Sequence, residues 1–125
     1  MRLGFLFIVF FFLNCTNKPQ YNYEEIGIAS FYANMFEGKI TANGEIFSQD
    51  SLTAAHKTLP FGTEVLVVNP KNEKSVKVVI NDRGPFRRLR IIDLTRRAAD
   101  SLGILDSGLE HVIIYADTSD MNIDK

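Results

Sequence analysis

At 125 residues, with 46% apolar and 23% charged residues, the chain has the size and composition of one globular domain, which excludes a fibrous or disordered polymer. Its 14 basic and 15 acidic residues leave a formal net charge of −1, without the basic excess of nucleic-acid-binding surfaces, so no nucleic-acid partner is expected. A single cysteine, Cys15, rules out an intramolecular disulfide and a cysteine-rich zinc site.

Residues 1–14 read as a signal peptide, because Arg2 precedes a run from Leu3 to Leu13 that only Gly4 interrupts. That run of 11 residues is too short for a spanning helix, which needs roughly 20. Cys15 follows it directly, where a bacterial lipoprotein signal carries the cysteine that is lipidated, although Phe12 and Asn14 stand where an aliphatic and a small residue are usual. Acyl chains on Cys15 would hold the protein to a membrane at ~0.8 kcal/mol per buried methylene. Residues 15–25 are polar, contain Pro19 and lack a hydrophobic period, the pattern of a tether without fixed structure.

A domain is expected over residues 26–116, followed by a tail over 117–125. Gly27 to Tyr32, Thr63 to Asn69, Ser75 to Ile80, Leu89 to Leu94 and Leu109 to Ala116 are short runs rich in Val, Ile, Phe and Tyr, divided by Gly, Pro and Asn, and predict strands. Asn69 to Lys74 reads as a hairpin turn. Leu94, Ala98, Ala99 and Leu102 share one helical face, with Thr95 as N-cap and Gly103 as terminator. Val65 to Val68 and Val76 to Ile80 are apolar on both alternating sets, which favours a closed barrel or covered sheets over one half-solvated sheet. The fold class is therefore mainly β with one short helix.

Proton-exchanging residues concentrate in two polar blocks. Asp82 follows Val78-Val-Ile80 and precedes Arg-Gly-Pro, which must leave the sheet, so its carboxyl can project into a groove; by local sequence alone it also reads as a turn cap or a partner of Arg83. Glu45 sits in the Asn43-Gly-Glu45 turn and by itself reads as solvated surface. His56 closes Leu52-Thr-Ala-Ala-His56 and by itself reads more readily as a hydrogen-bonded structural residue, while His111, inside a strand, reads as structural. Arg83, Arg87, Arg88 and Arg90 form a basic cluster that lines a groove or makes a solvated face paired with Asp93. Among the aromatic residues Tyr32, Phe36, Phe47 and Phe61, Tyr32 is the best candidate for stacking on a sugar.

Gly27-Ile-Ala-Ser-Phe-Tyr32, Thr41-Ala-Asn-Gly-Glu45, Leu52 to Thr63, Ile80 to Phe86 and Arg90-Ile-Ile-Asp-Leu-Thr95 resemble, in order and spacing, the rare lipoprotein A (RlpA) family of bacterial lytic transglycosylases. The resemblance implies a six-stranded double-psi β-barrel that takes peptidoglycan glycan strands lacking stem peptides. It implies cleavage between N-acetylmuramic acid and N-acetylglucosamine with formation of a 1,6-anhydro sugar. Asp82 would then be the catalytic acid and base, with His56 and Glu45 assisting, and Arg83, Ser48, Tyr32, Thr41 and Asn43 would contact the glycan. No metal or cofactor is implied, and the expected state is a monomer held to the cell envelope through Cys15. Ser48 stands where the family pattern has an aspartate, which leaves open a non-catalytic, expansin-like peptidoglycan-binding protein.

Overall fold

A computed structural model describes residues 20–119. The signal peptide, Cys15, the first part of the expected tether and most of the tail lie outside the described residues. Among the described residues six strands occur in the order β1 (Tyr23–Phe31), β2 (Thr53–His56), β3 (Glu64–Asn69), β4 (Lys74–Asp82), β5 (Arg90–Leu94) and β6 (Glu110–Ala116), with helix α1 (Arg96–Leu102) between the last two.

Alternation along the strands explains which face closes inward. In β4, Val76, Val78 and Ile80 are buried while Ser75, Lys77 and Val79 are exposed, and β3 and β6 repeat the pattern with Val65 and Val67, and with Val112, Ile114 and Ala116. Apolar sets from all six strands meet in one core, which a single sheet could not enclose without leaving edges unpaired. The strands close as a barrel in the order β1-β5-β2-β4-β3-β6, with β6 pairing back onto β1. Two of the six pairings, β1 with β5 and β2 with β4, are parallel, and the other four are antiparallel. This is the architecture expected of a double-psi barrel.

The helix adds one face to the core. Thr95 Oγ1 accepts from Ala98 N at 3.2 Å, capping the first turn, and Ala98, Ala99 and Leu102 are fully buried. Gly103 ends the helix at φ 76°, with its N–H on the Ala99 and Asp100 carbonyls, and a Cβ there would also meet Asn72 Nδ2 at 2.7 Å. Asn69 and Asn72, in the β3–β4 turn, donate their side-chain amides to the Leu102 carbonyl at 3.3 and 3.1 Å, so the hairpin and the helix end hold each other.

Two boundaries, by more than one residue, and one whole strand differ from the sequence expectation. β1 starts at Tyr23, inside the stretch read as tether, because Tyr23 to Glu25 find backbone partners on Ile114 to Ala116 of β6. β4 runs on to Asp82 instead of ending at Ile80. β2 carried no strand signal at all; Ala54 and Ala55 have low β propensity but fit the crowded position between β4 and β5, where both are buried.

Candidate active site

Register brings together residues far apart in sequence. Ser30 of β1 lies opposite Asp93 of β5, Asp93 opposite Ala55 of β2, and Ala55 opposite Asp82 of β4. Directly opposed residues face the same side of a sheet, so this row carries two carboxylates with only an alanine methyl between them. Irregularities in β1 (Ile28/Ala29) and β2 (Ala54/Ala55) accompany the row, as bulges commonly do where a strand redirects side chains.

Asp82, the last residue of β4, is half-buried and accepts three hydrogen bonds. The Ala42 and Arg83 backbone N–H groups donate to Oδ1, each at 2.9 Å, and the Tyr32 hydroxyl donates to Oδ2 at 2.5 Å. A carboxylate oxygen has two lone-pair positions, so Oδ1 is saturated and, among the described residues, Oδ2 keeps one free. Burial first, then the bond to Asp82, then the charges of Asp82 and Asp93, push the Tyr32 phenol far above its ordinary pKa, so it remains a protonated donor. Its ring is wedged against Phe47 and Phe36, with centroids 4.3 and 5.6 Å away.

The two polar blocks of the sequence dock on each other here. Thr41 to Glu45 forms a tight turn closed by Thr41 N on the Glu45 carbonyl at 2.8 Å and by an Ile40–Ile46 bridge. Asn43 N donates to the Asn81 carbonyl, and Ala42 N reaches Asp82, which seats the turn against the end of β4. Thr41 Oγ1 donates to Asn43 Oδ1, and Asn43 Nδ2 to Glu45 Oε1, both at 2.7 Å, leaving Glu45 exposed on the turn.

A groove of about 360 Å³ opens beside Asp82, walled by Tyr32, Phe36, Phe86, Arg87, Arg90 and Asp93. Phe86 is 88% exposed on its rim. Arg87 is exposed, and its guanidinium has no partner among the described residues. Arg83 also borders the groove, but its guanidinium is engaged: Nη1 donates to the His56 and Leu59 carbonyls at 3.2 and 2.8 Å, and the group lies 4.0 Å over the Phe61 ring.

The other candidates fall elsewhere. His56 is 2% exposed, and its side chain bonds Glu25 and the backbone N–H groups of Thr58 and Leu59, not Asp82. Ser48 Oγ accepts from Asp50 N at 3.2 Å in a local turn. His111 is exposed beside a second groove of about 440 Å³, together with Lys57, Ile26 and Leu89. Phe47 is buried in support of Tyr32, whereas Phe36 and Phe61 are partly exposed.

The basic cluster reads in sequence as a groove lining or as a solvated face paired with Asp93, and Arg90 combines the two. Arg90 Nη2 donates to Asp93 Oδ1 at 2.7 Å, Ser30 Oγ donates to the same oxygen, and the pair lines the groove. Glu25 reads as tether in the sequence. No apolar–polar alternation marks Tyr23 to Ile26 in the sequence; the half-burial of Tyr23 and Glu25 beside exposed Glu24 and Ile26 arises only with β6 alongside.

A family model described as lytic transglycolase matches residues 24–114. The chain is 52% identical over 97 residues to an endolytic peptidoglycan transglycosylase RlpA of Pasteurella multocida, an alignment covering 78% of this chain and 33% of that protein. It thus spans about a third of the length of that curated relative. Among solved structures, a Streptomyces papain inhibitor superposes with a TM-score of 0.62 at 22% identity, covering 78% of this chain and 96% of the other. An expansin of Clavibacter michiganensis superposes with a TM-score of 0.60 at 19% identity, covering 75% and 50%. These two likenesses concern the barrel alone. With the family model covering most of the chain and a relative at this identity, the protein belongs to the RlpA-like, double-psi-barrel lytic transglycosylase family.

Proposed function

We propose that this domain is an endolytic lytic transglycosylase that cuts peptidoglycan glycan strands in the cell envelope. The observation that carries the reading is the Asp82 carboxyl, held by three donors yet keeping one free position on Oδ2 at the edge of an open groove. The name of the Pasteurella relative supports the substrate, and the Ser48 hydroxyl is hydrogen-bonded to Asp50 N and not to Asp82.

In this reading the muramic acid–glucosamine bond lies across the groove with its bridging oxygen at Asp82 Oδ2. Protonated Asp82 gives its proton to that oxygen as the bond to the muramic C1 breaks. The muramic C6 hydroxyl then closes on C1 and returns its proton to Asp82, so no water is consumed and one carboxyl serves as acid and then base. Tyr32 keeps the carboxyl aimed through both steps. Glu45, Asn43 and Thr41 offer hydroxyl-binding groups along one edge, Phe86 an apolar face for a sugar ring, and Arg87 a cation for an acidic substituent. Strands without stem peptides, which expose the lactyl carboxylate, fit that cation best. Lipidation at Cys15 would keep the domain at the membrane surface that faces the wall.

Peptide-free glycan strands incubated with the purified protein, followed by mass analysis of the products, test the proposal. Fragments ending in anhydro sugars, one water lighter than hydrolysis products, are expected. Intact strands that still co-sediment with the protein would show a binding protein instead.

A further inference from the structure

Glu25 is the start of a chain of contacts that ends on the groove. Its Oε1 accepts from the Tyr23 hydroxyl and shares a hydrogen bond with His56 Nε2, each at 2.8 Å. On the other side of the ring, Nδ1 accepts from Thr58 N at 3.1 Å and from Leu59 N at 3.0 Å. A ring nitrogen that accepts from two N–H groups carries no proton, so the proton of the neutral ring sits on Nε2, where Glu25 receives it. The two bonds to Nδ1 fold residues 57–59 back over the ring. The His56 and Leu59 carbonyls then converge on Arg83 Nη1, and the Arg83 backbone N–H closes the chain on Asp82 Oδ1 at 2.9 Å.

We propose that Glu25 is a positioning residue for the Asp82 carboxyl, acting through the His56 ring, the turn over residues 57–59 and Arg83. His56 in this arrangement is a strut and not a proton carrier: its ring is sealed from the groove, and every polar atom of the ring is engaged. What Glu25 supplies is an acceptor oxygen at the right reach, so side-chain length matters more than charge. The functional consequence rests on the transglycosylase reading above.

The full chain carrying Glu25→Asp or Glu25→Gln separates these ideas. Shortening by one methylene withdraws the oxygen from His56 and keeps the charge; kcat on glycan strands is expected to fall about tenfold or more, with KM moving less than about twofold, the pattern of a misaligned reacting group. Glu25→Gln keeps an acceptor oxygen in place and should recover most of that loss. Wild-type kcat in Glu25→Asp, or an equal loss in both variants, overturns the proposal. Nitrogen NMR of the His56 ring and the proton signal of the Tyr32 hydroxyl bonded to Asp82 provide a second readout. Both should change in Glu25→Asp and persist in Glu25→Gln; an unchanged Tyr32 signal in Glu25→Asp overturns the coupling. If the wild-type protein cuts no glycan, the enzymatic reading fails by itself, and the NMR comparison still decides whether Glu25 positions Asp82.

Discussion

Asp82 and His56 stand near each other in the fold, each at the end of a strand, and the fold treats them oppositely. Asp82 is half-buried, keeps one oxygen position unfilled and borders an open groove. His56 is 2% exposed and has both ring nitrogens occupied. A titratable side chain with every lone pair and proton committed behaves as part of the frame, whereas one with a vacant position and access to solvent can exchange a proton with a substrate. Arg83 connects the two, with its side chain on the carbonyl of His56 and its backbone on Asp82.

The contrast breaks most directly at Asp82. Asp82→Asn should lower kcat on glycan strands by about 10²- to 10⁴-fold, the usual weight of a general acid–base, with an unchanged circular dichroism spectrum. Retained wild-type cleavage would remove Asp82 from the chemistry. His56→Ala should act on the frame, leaving the Thr58 and Leu59 N–H groups without their acceptor and lowering the unfolding free energy in urea by about 2–5 kcal/mol. A large activity loss at undiminished stability would instead make His56 a reacting group.

Tyr32→Phe sharpens the comparison from the groove side. It deletes one hydrogen bond to a carboxylate, worth about 1.5–3 kcal/mol, and should reduce kcat roughly 10- to 100-fold. Steady-state rates at saturating glycan check this.

Alkaline pH probes the frame again. Burial, followed by its bond to Glu25 and the Glu25 charge, pushes Tyr23 from 10.0 up to about 12. A phenol with a raised pKa in the folded state favours folding while it is protonated. That contribution is complete below pH 10 and disappears as the pH rises through about 12. Tyr23→Phe should therefore flatten the decline in urea stability across that window. The smallest effect is expected at Ser48, where Ser48→Asp keeps an acceptor for Asp50 N and should shift stability by less than about 0.5 kcal/mol and kcat by less than about twofold. A tenfold gain in kcat would show that a fourth acid belongs to the site.

Much of the frame was legible because its signals are local. Val76, Val78 and Ile80 alternate with exposed neighbours, and the Thr95 cap and Gly103 terminator bracket α1 within a few residues. The turn over Thr41 to Glu45 and its association with Asp82 were legible through the family resemblance. Asp93 was half legible: its ion pair with Arg90 is three residues away, but its place in the groove depends on Ala55 lying between it and Asp82.

The sequence by itself determined a β-rich fold, its helix, its family and the place of Asp82 at a strand exit, because side-chain period, caps and motif spacing act over short stretches of chain. Only the tertiary structure decided that Thr53–His56 is a strand, that Tyr23–Glu25 belongs to the barrel, and that His56 answers to Glu25 while Asp82 answers to Tyr32. Those pairs are separated by 31 and 50 residues, and no local pattern records which distant oxygen a ring nitrogen or a phenol will meet. Barrel closure makes that choice, by fixing the register that carries each side chain either to the groove or into the wall.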